Sequence, residues 1–149
     1  MLKEGDVFPS FDLPDQDGNR VTLVGITRQK ALIYFYPKDD TSGCTAEACG
    51  IREAFPRFSE VRVLGVSPDS PASHRKFIAK YNLLFTLLAD QDHMLAESCG
   101  VWVEKSMYGK KYMGIERTSF LLDENGKIVK IWSKVEPVGH AEEILQALG

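Results

Sequence analysis

Residues 34–44 read YFYPKDDTSGC, and this stretch decides the fold because it joins a strand to a helix. The apolar run 30–36, KALIYFY, is too short for a core helix and rich in β-forming residues. It therefore predicts a buried central strand, and Pro37 is expected to end it. Cys44 follows seven residues later, at the start of a helical pattern.

The helix pattern carries an apolar stripe at helical spacing, formed by Cys44, Ala48, Ile51, Phe55 and Phe58. Glu47, Arg52 and Glu53 are predicted to lie outside this stripe, and Cys49 also falls off it. Pro56 is expected to kink or break the helix near its end.

The position of Cys44 at the predicted helix start indicates a reactive thiol. Unpaired backbone N–H groups and the positive end of the helix dipole favour an anion there. A thiol becomes a nucleophile only as the thiolate, so such a position suits catalysis. The alternative is a structural thiol, since free cysteine is among the most buried residue types.

The rest of the chain alternates strand and helix patterns. We expect an N-terminal hairpin within residues 2–24, strands at 61–66 and 85–88, helices starting at Ser70 and Asp92, a hairpin at 118–132 and a final amphipathic helix. The segment before Arg117 is interpreted as a long loop. This order predicts an α/β fold, namely a thioredoxin-like sandwich with a central mixed β-sheet flanked by helices and an N-terminal β-hairpin extension.

Composition limits the classes of function. The 149 residues suit a single domain, 1–149, and 44% apolar with 26% charged residues is typical of a globular protein. A net charge of −3 argues against nucleic acid or an anionic membrane as partner. Three cysteines do not make a disulfide framework, and no signal peptide is visible, so a cytoplasmic location is expected.

A specific motif surrounds the first cysteine. Pro37, Thr41 and Cys44 spell P-x-x-x-T-x-x-C within residues 34–53, YFYPKDDTSGCTAEACGIRE. This run resembles the active-site loop and first helix of peroxiredoxins, specifically the bacterioferritin-comigratory or Q-type subfamily. Ser42 departs from the pattern, because that subfamily usually has proline at this position.

A second block, residues 100–122, is similar to the same subfamily and includes Arg117. The resemblance implies the thioredoxin-like fold and a thiol peroxidase that reduces hydrogen peroxide or organic hydroperoxides. It also implies a thioredoxin or glutaredoxin-like reductant and no cofactor or metal. A monomer is expected, with a weak dimer as the alternative, and neither nucleic acid nor membrane is expected as a partner.

The resemblance gives each candidate site residue a role. Cys44 would attack the peroxide and become a sulfenic acid, and Arg117 would stabilise its thiolate. Thr41 would hydrogen-bond the thiolate and the peroxide, and Pro37 would shield the site. Taken without the resemblance, Thr41 is a helix cap, Pro37 is a strand terminator and Arg117 is a solvated arginine.

Cys49 would resolve the sulfenic acid as an intramolecular disulfide, again as the resemblance implies. Residues five apart in a helix have Cα atoms about 8–9 Å apart, whereas a disulfide needs about 7 Å or less. Bonding to Cys44 therefore requires the first turn of the helix to unwind. Cys49 as a core thiol is the alternative interpretation. Cys99, before Gly100 at a predicted helix end, is interpreted as a bystander.

The sequence also bears on three functions other than a peroxidase. The histidines at 74, 93 and 140 lack ligand spacing, so no metal site is predicted. A general thiol–disulfide oxidoreductase of the same fold is disfavoured because C-x-x-C is missing. A redox sensor whose helix melts on oxidation is the non-enzymatic alternative. Repeated turnover of peroxide would separate the enzyme from the sensor.

Overall fold

A computed structural model gives the fold and describes residues 2–148. Nine strands and five helices follow one another along these residues: β1 Asp12–Pro14, β2 Arg20–Thr22, α1 Leu23–Ile26, β3 Lys30–Phe35, α2 Ser42–Ala54, β4 Val61–Ser67, α3 Pro71–Tyr81, β5 Thr86–Ala89, α4 Met94–Ser98, β6 Trp102–Met107, β7 Lys110–Ile115, β8 Thr118–Leu122, β9 Ile128–Trp132 and α5 His140–Leu148.

The central sheet has five strands in the order β5-β4-β3-β8-β9. β3 pairs parallel with β4 and antiparallel with β8, so the sheet is mixed and β3 lies at its centre. β1 and β2 form a separate antiparallel hairpin. The sequence prediction of a thioredoxin-like sandwich with an N-terminal hairpin is confirmed.

Side chains of β3 alternate between two apolar cores, one on each face of the sheet. Ile33 and Phe35 pack on the face that carries α1 and α4. Leu32 and Tyr34 pack on the other face, against α2, α3 and α5. The alternation follows from the two-residue period of a strand that is buried on both faces.

The boundaries of α2 explain where the chain turns. Phe55–Arg57 continue the helix as one 3-10 turn that contains Pro56, because proline cannot donate the next helical hydrogen bond. At the other end, Thr41 has extended backbone angles and is the N-cap residue. The loop from Pro37 to Thr41 therefore connects the C-terminal end of β3 directly to the N-terminal end of α2.

The segment before Arg117 was predicted to be a long loop, and that prediction is wrong. Residues 102–115 form the antiparallel hairpin β6–β7, which is a two-stranded sheet apart from the central one. Tyr108 and Gly109 turn the chain with positive φ angles. The exposed residues of this hairpin include charged and apolar side chains without regular alternation. The sequence therefore carries no strand pattern here.

No helix within residues 2–148 is long and apolar enough to span a membrane.

Candidate active site

The first turn of α2 presents Cys44. The first intrahelical hydrogen bond runs from Thr45 N to Thr41 O, at 2.8 Å. The N–H groups of Ser42, Gly43 and Cys44 precede it and have no intrahelical acceptor, so the positive end of the helix faces the thiol. The Cys44 side chain is 2% exposed and is a free thiol.

Arg117 directly precedes β8, and its guanidinium reaches the Cys44 thiol. Its Nη2 donates to Cys44 Sγ at 3.4 Å, and its Nη1 donates to Glu47 Oε1 at 2.7 Å. The backbone is held in place because Val135 N donates to Arg117 O at 3.0 Å. One rigid fork of donors therefore contacts a thiol and a carboxylate together.

Glu47 was predicted to lie outside the apolar stripe, and that prediction is wrong. Its side chain is buried, and the whole residue is 1% exposed. The signal was present in the spacing, because Glu47 lies three residues after Cys44 and four before Ile51 and so shares their face of the helix. A buried carboxylate on an apolar face needs a cation, and Arg117, 70 residues later in the chain, supplies it.

The charges of this pair are unequally compensated. Burial raises the pKa of Glu47 to about 7, although the positive charge of Arg117 acts in the opposite direction. Burial also opposes the charge of Arg117, yet Glu47 and Cys44 together raise its pKa above the ordinary value. Burial therefore determines the pKa shift of Glu47, whereas neighbouring charges determine that of Arg117. The cause is structural, since Arg117 is partly exposed whereas Glu47 Oε2 is buried without a hydrogen-bond partner among the described residues.

Gly43 allows the guanidinium to come this close to the helix. A Cβ atom at Gly43 would lie 3.2 Å from Arg117 Nη2 and 3.5 Å from Pro137 Cγ. The loop before α5 therefore borders the site next to Gly43. A side chain at this position would push against the arginine that contacts the thiol.

Thr41 and Pro37 lie on the loop that leads into α2. Thr41 Oγ1 donates to Lys38 O at 2.9 Å and makes no capping bond to the helix, so its proton points away from Cys44 Sγ in this state. Its lone pairs stay available to accept a hydrogen bond. Pro37 follows the buried Tyr36 and is half-buried. Both residues lie in the loop that joins β3 to the helix bearing Cys44.

The other two cysteines occupy different environments. Cys49 lies inside α2, half-buried, and is a free thiol. Cys99 is the C-cap residue of α4 and is 4% exposed. Burial and the nearby charge of Asp90 raise the pKa of Cys99 well above its ordinary value.

A polar cluster that sequence analysis missed includes the middle residue of the active-site loop. Asp39, Asp69 and His74 have side-chain ligand atoms within 4.8 Å of one another. The histidines lack ligand spacing in the sequence, but folding brings the ring of His74, on α3, to 2.7 Å from the Asp39 carboxylate. Their 35-residue separation left no local spacing pattern that could have found them.

The chain is similar to known proteins along most of its length. The profile described as the AhpC/TSA family matches residues 5–131. Peroxiredoxin Bcp of Escherichia coli is 46% identical over 99% of this chain and 96% of its own length.

Solved structures give the same result. A mutant of PrxQ from Xylella fastidiosa matches with a TM-score of 0.93 and 37% identity, covering 99% of this chain and 96% of that chain. The bacterioferritin comigratory protein of Xanthomonas campestris, whose structures concern its alkyl peroxide reduction activity, matches with a TM-score of 0.87. It is 41% identical, and the match covers 93% of this chain and 89% of that chain.

Proposed function

Because the chain belongs to the AhpC/TSA family, as a peroxiredoxin of the Bcp or Q type, it is a thiol peroxidase, and we propose that Cys44 is its peroxidatic residue. Its substrates would be hydrogen peroxide and organic hydroperoxides, which it would reduce to water and alcohols.

One observation carries the proposal: Arg117 donates to both Cys44 Sγ and Glu47 from one guanidinium. A guanidinium keeps its charge at every working pH, so it favours the thiolate over the thiol. At neutral pH a free thiol is roughly 3% ionised, so complete ionisation gains only about thirtyfold. Any larger acceleration must come from donors that polarise the O–O bond.

The first step conserves atoms and electrons. The Cys44 thiolate attacks the terminal oxygen of the peroxide, the S–O bond forms and the O–O bond breaks. Two electrons pass from sulfur to the peroxide, which leaves a sulfenic acid and a hydroxide or alkoxide. The leaving oxygen takes a proton to become water or alcohol. Thr41 would accept a hydrogen bond from the bound peroxide, and Pro37 would exclude water from the loop side.

Cys49 would complete the cycle by attacking the Cys44 sulfenic acid, which forms the disulfide and releases water. Both residues lie within the continuous helix α2, where an i, i+5 pair has Cα atoms about 8–9 Å apart. A disulfide needs about 7 Å or less. The first turn of α2 would therefore unwind before the second step, and the helix as described is the state that reacts with peroxide.

A dithiol protein of the thioredoxin or glutaredoxin-like type would supply two electrons to reopen the disulfide. We further propose a cytoplasmic location, because three free thiols suit a reducing compartment. We also propose that the protein is a monomer. The weak dimer predicted as an alternative would show as a concentration-dependent mass in sedimentation.

A coupled assay tests the proposal. NADPH oxidation is followed with thioredoxin, thioredoxin reductase and either hydrogen peroxide or an organic hydroperoxide. Wild-type protein should turn over many equivalents of peroxide. Cys49→Ser should consume one equivalent to form the sulfenic acid and a second equivalent to oxidise it to the sulfinic acid, without further turnover. Cys99→Ser is the matched control and should turn over like the wild type.

Peptide mapping of the peroxide-treated wild-type chain decides the role of Cys49. A Cys44–Cys49 disulfide supports the proposed cycle. A Cys44–Cys99 bridge, or a persistent sulfenic acid in the wild type, would overturn the resolving role. A single oxidation without turnover would favour the redox sensor over the enzyme cycle.

A further inference from the structure

The loop that precedes α2 is fastened to α3 by buried side chains. Asp39, in the middle of this loop, accepts three hydrogen bonds through its carboxylate: from Tyr36 Oη at 2.6 Å, from Ser73 Oγ at 2.8 Å and from His74 Nδ1 at 2.7 Å. Its backbone N–H donates to Asp69 Oδ2 at 2.8 Å. Both side and main chain of one loop residue are therefore tied to neighbouring elements.

His74 is held from both ends of its ring. It is completely buried, and its Nε2 faces Leu88 O, the carbonyl of a residue in β5, at 2.9 Å. A carbonyl oxygen can only accept, so Nε2 carries a proton and donates it. Nδ1 then shares a proton with the Asp39 carboxylate, which makes the link between loop and helix a charge-assisted hydrogen bond.

The cluster has hydrogen-bonded rather than metal-bound geometry. His74 Nδ1 and Asp39 Oδ2 are 2.7 Å apart. Two ligands of a tetrahedral zinc ion, each about 2.0–2.2 Å from the metal, would lie roughly 3.3 Å apart. Asp69 Oδ2 already accepts from Asp39 N and from Ser67 Oγ. A shared proton therefore accounts for the short distance, and protein donors satisfy these oxygens.

A second, exposed link joins the same loop to the end of α3. Asp40 has a left-handed backbone, with φ of 57°, and its carboxylate accepts from Lys80 Nζ at 2.7 Å and from Tyr81 Oη at 2.6 Å. These contacts are open to solvent and are therefore weak. The buried Asp39–His74 link provides most of the attachment.

We propose that Asp39 and His74 are positioning residues that anchor the active-site loop to α3, so that the unwinding of α2 starts after this anchor. This inference rests on the proposed cycle of Cys44 and Cys49. With residues 37–40 fixed, Pro37 and Thr41 stay in place for the next peroxide, and only the first turns of α2 rearrange. The anchor thus favours the loop conformation that binds peroxide, both before and after α2 unwinds.

The anchor predicts different effects on the two steps. Asp39→Asn removes the charge of the link and should slow oxidation of Cys44 about tenfold or more, the effect of losing one charge-assisted buried hydrogen bond. Conversion of the sulfenic acid to the disulfide should be unchanged, because the anchor is present before and after α2 unwinds. Less sulfinic acid should form per turnover, because overoxidation needs a second peroxide at the same loop. Stopped-flow fluorescence measures both rates, and mass spectrometry measures sulfinic acid.

Two further variants separate the anchor from general stability. Ser73→Ala removes only one donor to Asp39, so oxidation of Cys44 should slow by a smaller factor while disulfide formation is unchanged. This variant tests the anchor if Asp39→Asn does not fold. Lys80→Ala, on the same helix but in the exposed link, is the matched control and should change either rate by less than about twofold. Equal slowing of both steps, or an unchanged oxidation rate in Asp39→Asn, would overturn the proposal.

Hydrogen exchange on the wild-type chain tests the anchor without any substitution. On oxidation the Thr45 amide, whose partner is Thr41 O, should lose protection, whereas the Asp39 amide, bound to Asp69, should keep it. Loss of protection at both amides would contradict the anchor. A wild-type chain that forms no Cys44–Cys49 disulfide would contradict the proposed cycle instead, and the oxidation rate of Asp39→Asn then decides the anchor alone.

Discussion

Cys44 and Cys99 are both buried thiols with a buried carboxylate nearby, yet the charges that lie next to the two sulfur atoms differ. Cys44 lies in the first turn of α2, and Arg117 stands between it and Glu47. Cys99 caps the C-terminal end of α4, where the helix dipole is negative, and Asp90 acts on it without an intervening cation.

Burial does not distinguish the two thiols. Exposure is nearly equal, at 2% for Cys44 and 4% for Cys99. What differs is the sign of the nearest charges and the end of the helix that each sulfur faces. Under the proposed function, the cation beside Cys44 is what would make this core thiol reactive.

The largest effect should come from exchanging the Cys44 thiol for a hydroxyl, and the same change at Cys99 should have none. Cys44→Ser should lower peroxide turnover by at least roughly a thousandfold, because serine is hardly ionised at neutral pH. Cys99→Ser should retain wild-type activity. The coupled NADPH assay measures both, and circular dichroism checks that both fold. Comparable losses in the two variants would erase the distinction between the sites.

Removing the cation should have the next largest effect. Arg117→Met should slow Cys44 oxidation by about 10²–10³-fold, the cost of losing a donor aimed at the reacting atoms. Stopped-flow measurements across a pH series separate the two causes, because only the loss of thiolate is recovered at high pH. Full recovery at high pH would mean that Arg117 acts through ionisation alone.

Arg117→Lys is the control for that comparison. It keeps the positive charge but lacks the fork that contacts Cys44 and Glu47 together. We expect a rate between those of the wild type and Arg117→Met. A rate equal to the wild type would show that charge, rather than the two-pronged contact, is what matters.

Glu47 should give a pH-dependent effect on stability. The pKa of Glu47 is raised in the folded state, so the protonated side chain favours folding. Its contribution to the free energy of unfolding is fully present below the ordinary glutamate pKa range and is lost as the pH rises through about 7. Relative to Glu47→Gln, which cannot ionise, the wild-type free energy of unfolding should fall by up to roughly 3 kcal/mol over this window. Urea unfolding at several pH values measures the difference.

Glu53→Gln, on the exposed side of the same helix, is the matched control for Glu47→Gln. It should produce no comparable slope with pH. An equal slope for both variants would indicate a general charge effect, whereas a flat Glu47 comparison would contradict the buried, poorly compensated carboxylate.

The smallest effect concerns Cys99. Asp90→Asn removes the negative charge that raises the pKa of Cys99, so alkylation of this thiol should speed up by no more than about tenfold. Burial remains, and it is the larger cause of the raised pKa. Alkylation of Cys99 as fast as that of Cys44 in this variant would mean that charge alone separates the two thiols. The rates are read by mass spectrometry under native conditions.

Much of the fold followed from local pattern. The strand 30–36 and the stripe of α2 were predicted because each pattern repeats with the period of its element. The hairpin β6–β7 was not, because most of its residues are exposed and its buried positions do not alternate. For a strand outside the core, burial leaves no period in the sequence.

The sequence by itself determined the central strand, the helix that starts beside Cys44 and the motif of Pro37, Thr41 and Cys44. These features are local, since strand period, proline and helix start depend on neighbours a few residues away. Only the tertiary structure decided which charges meet the thiol. Arg117 reaches Glu47 across 70 residues, and His74 reaches Asp39 across 35. Pairing of buried charges depends on which elements pack together, and no periodicity in the chain records that partnership.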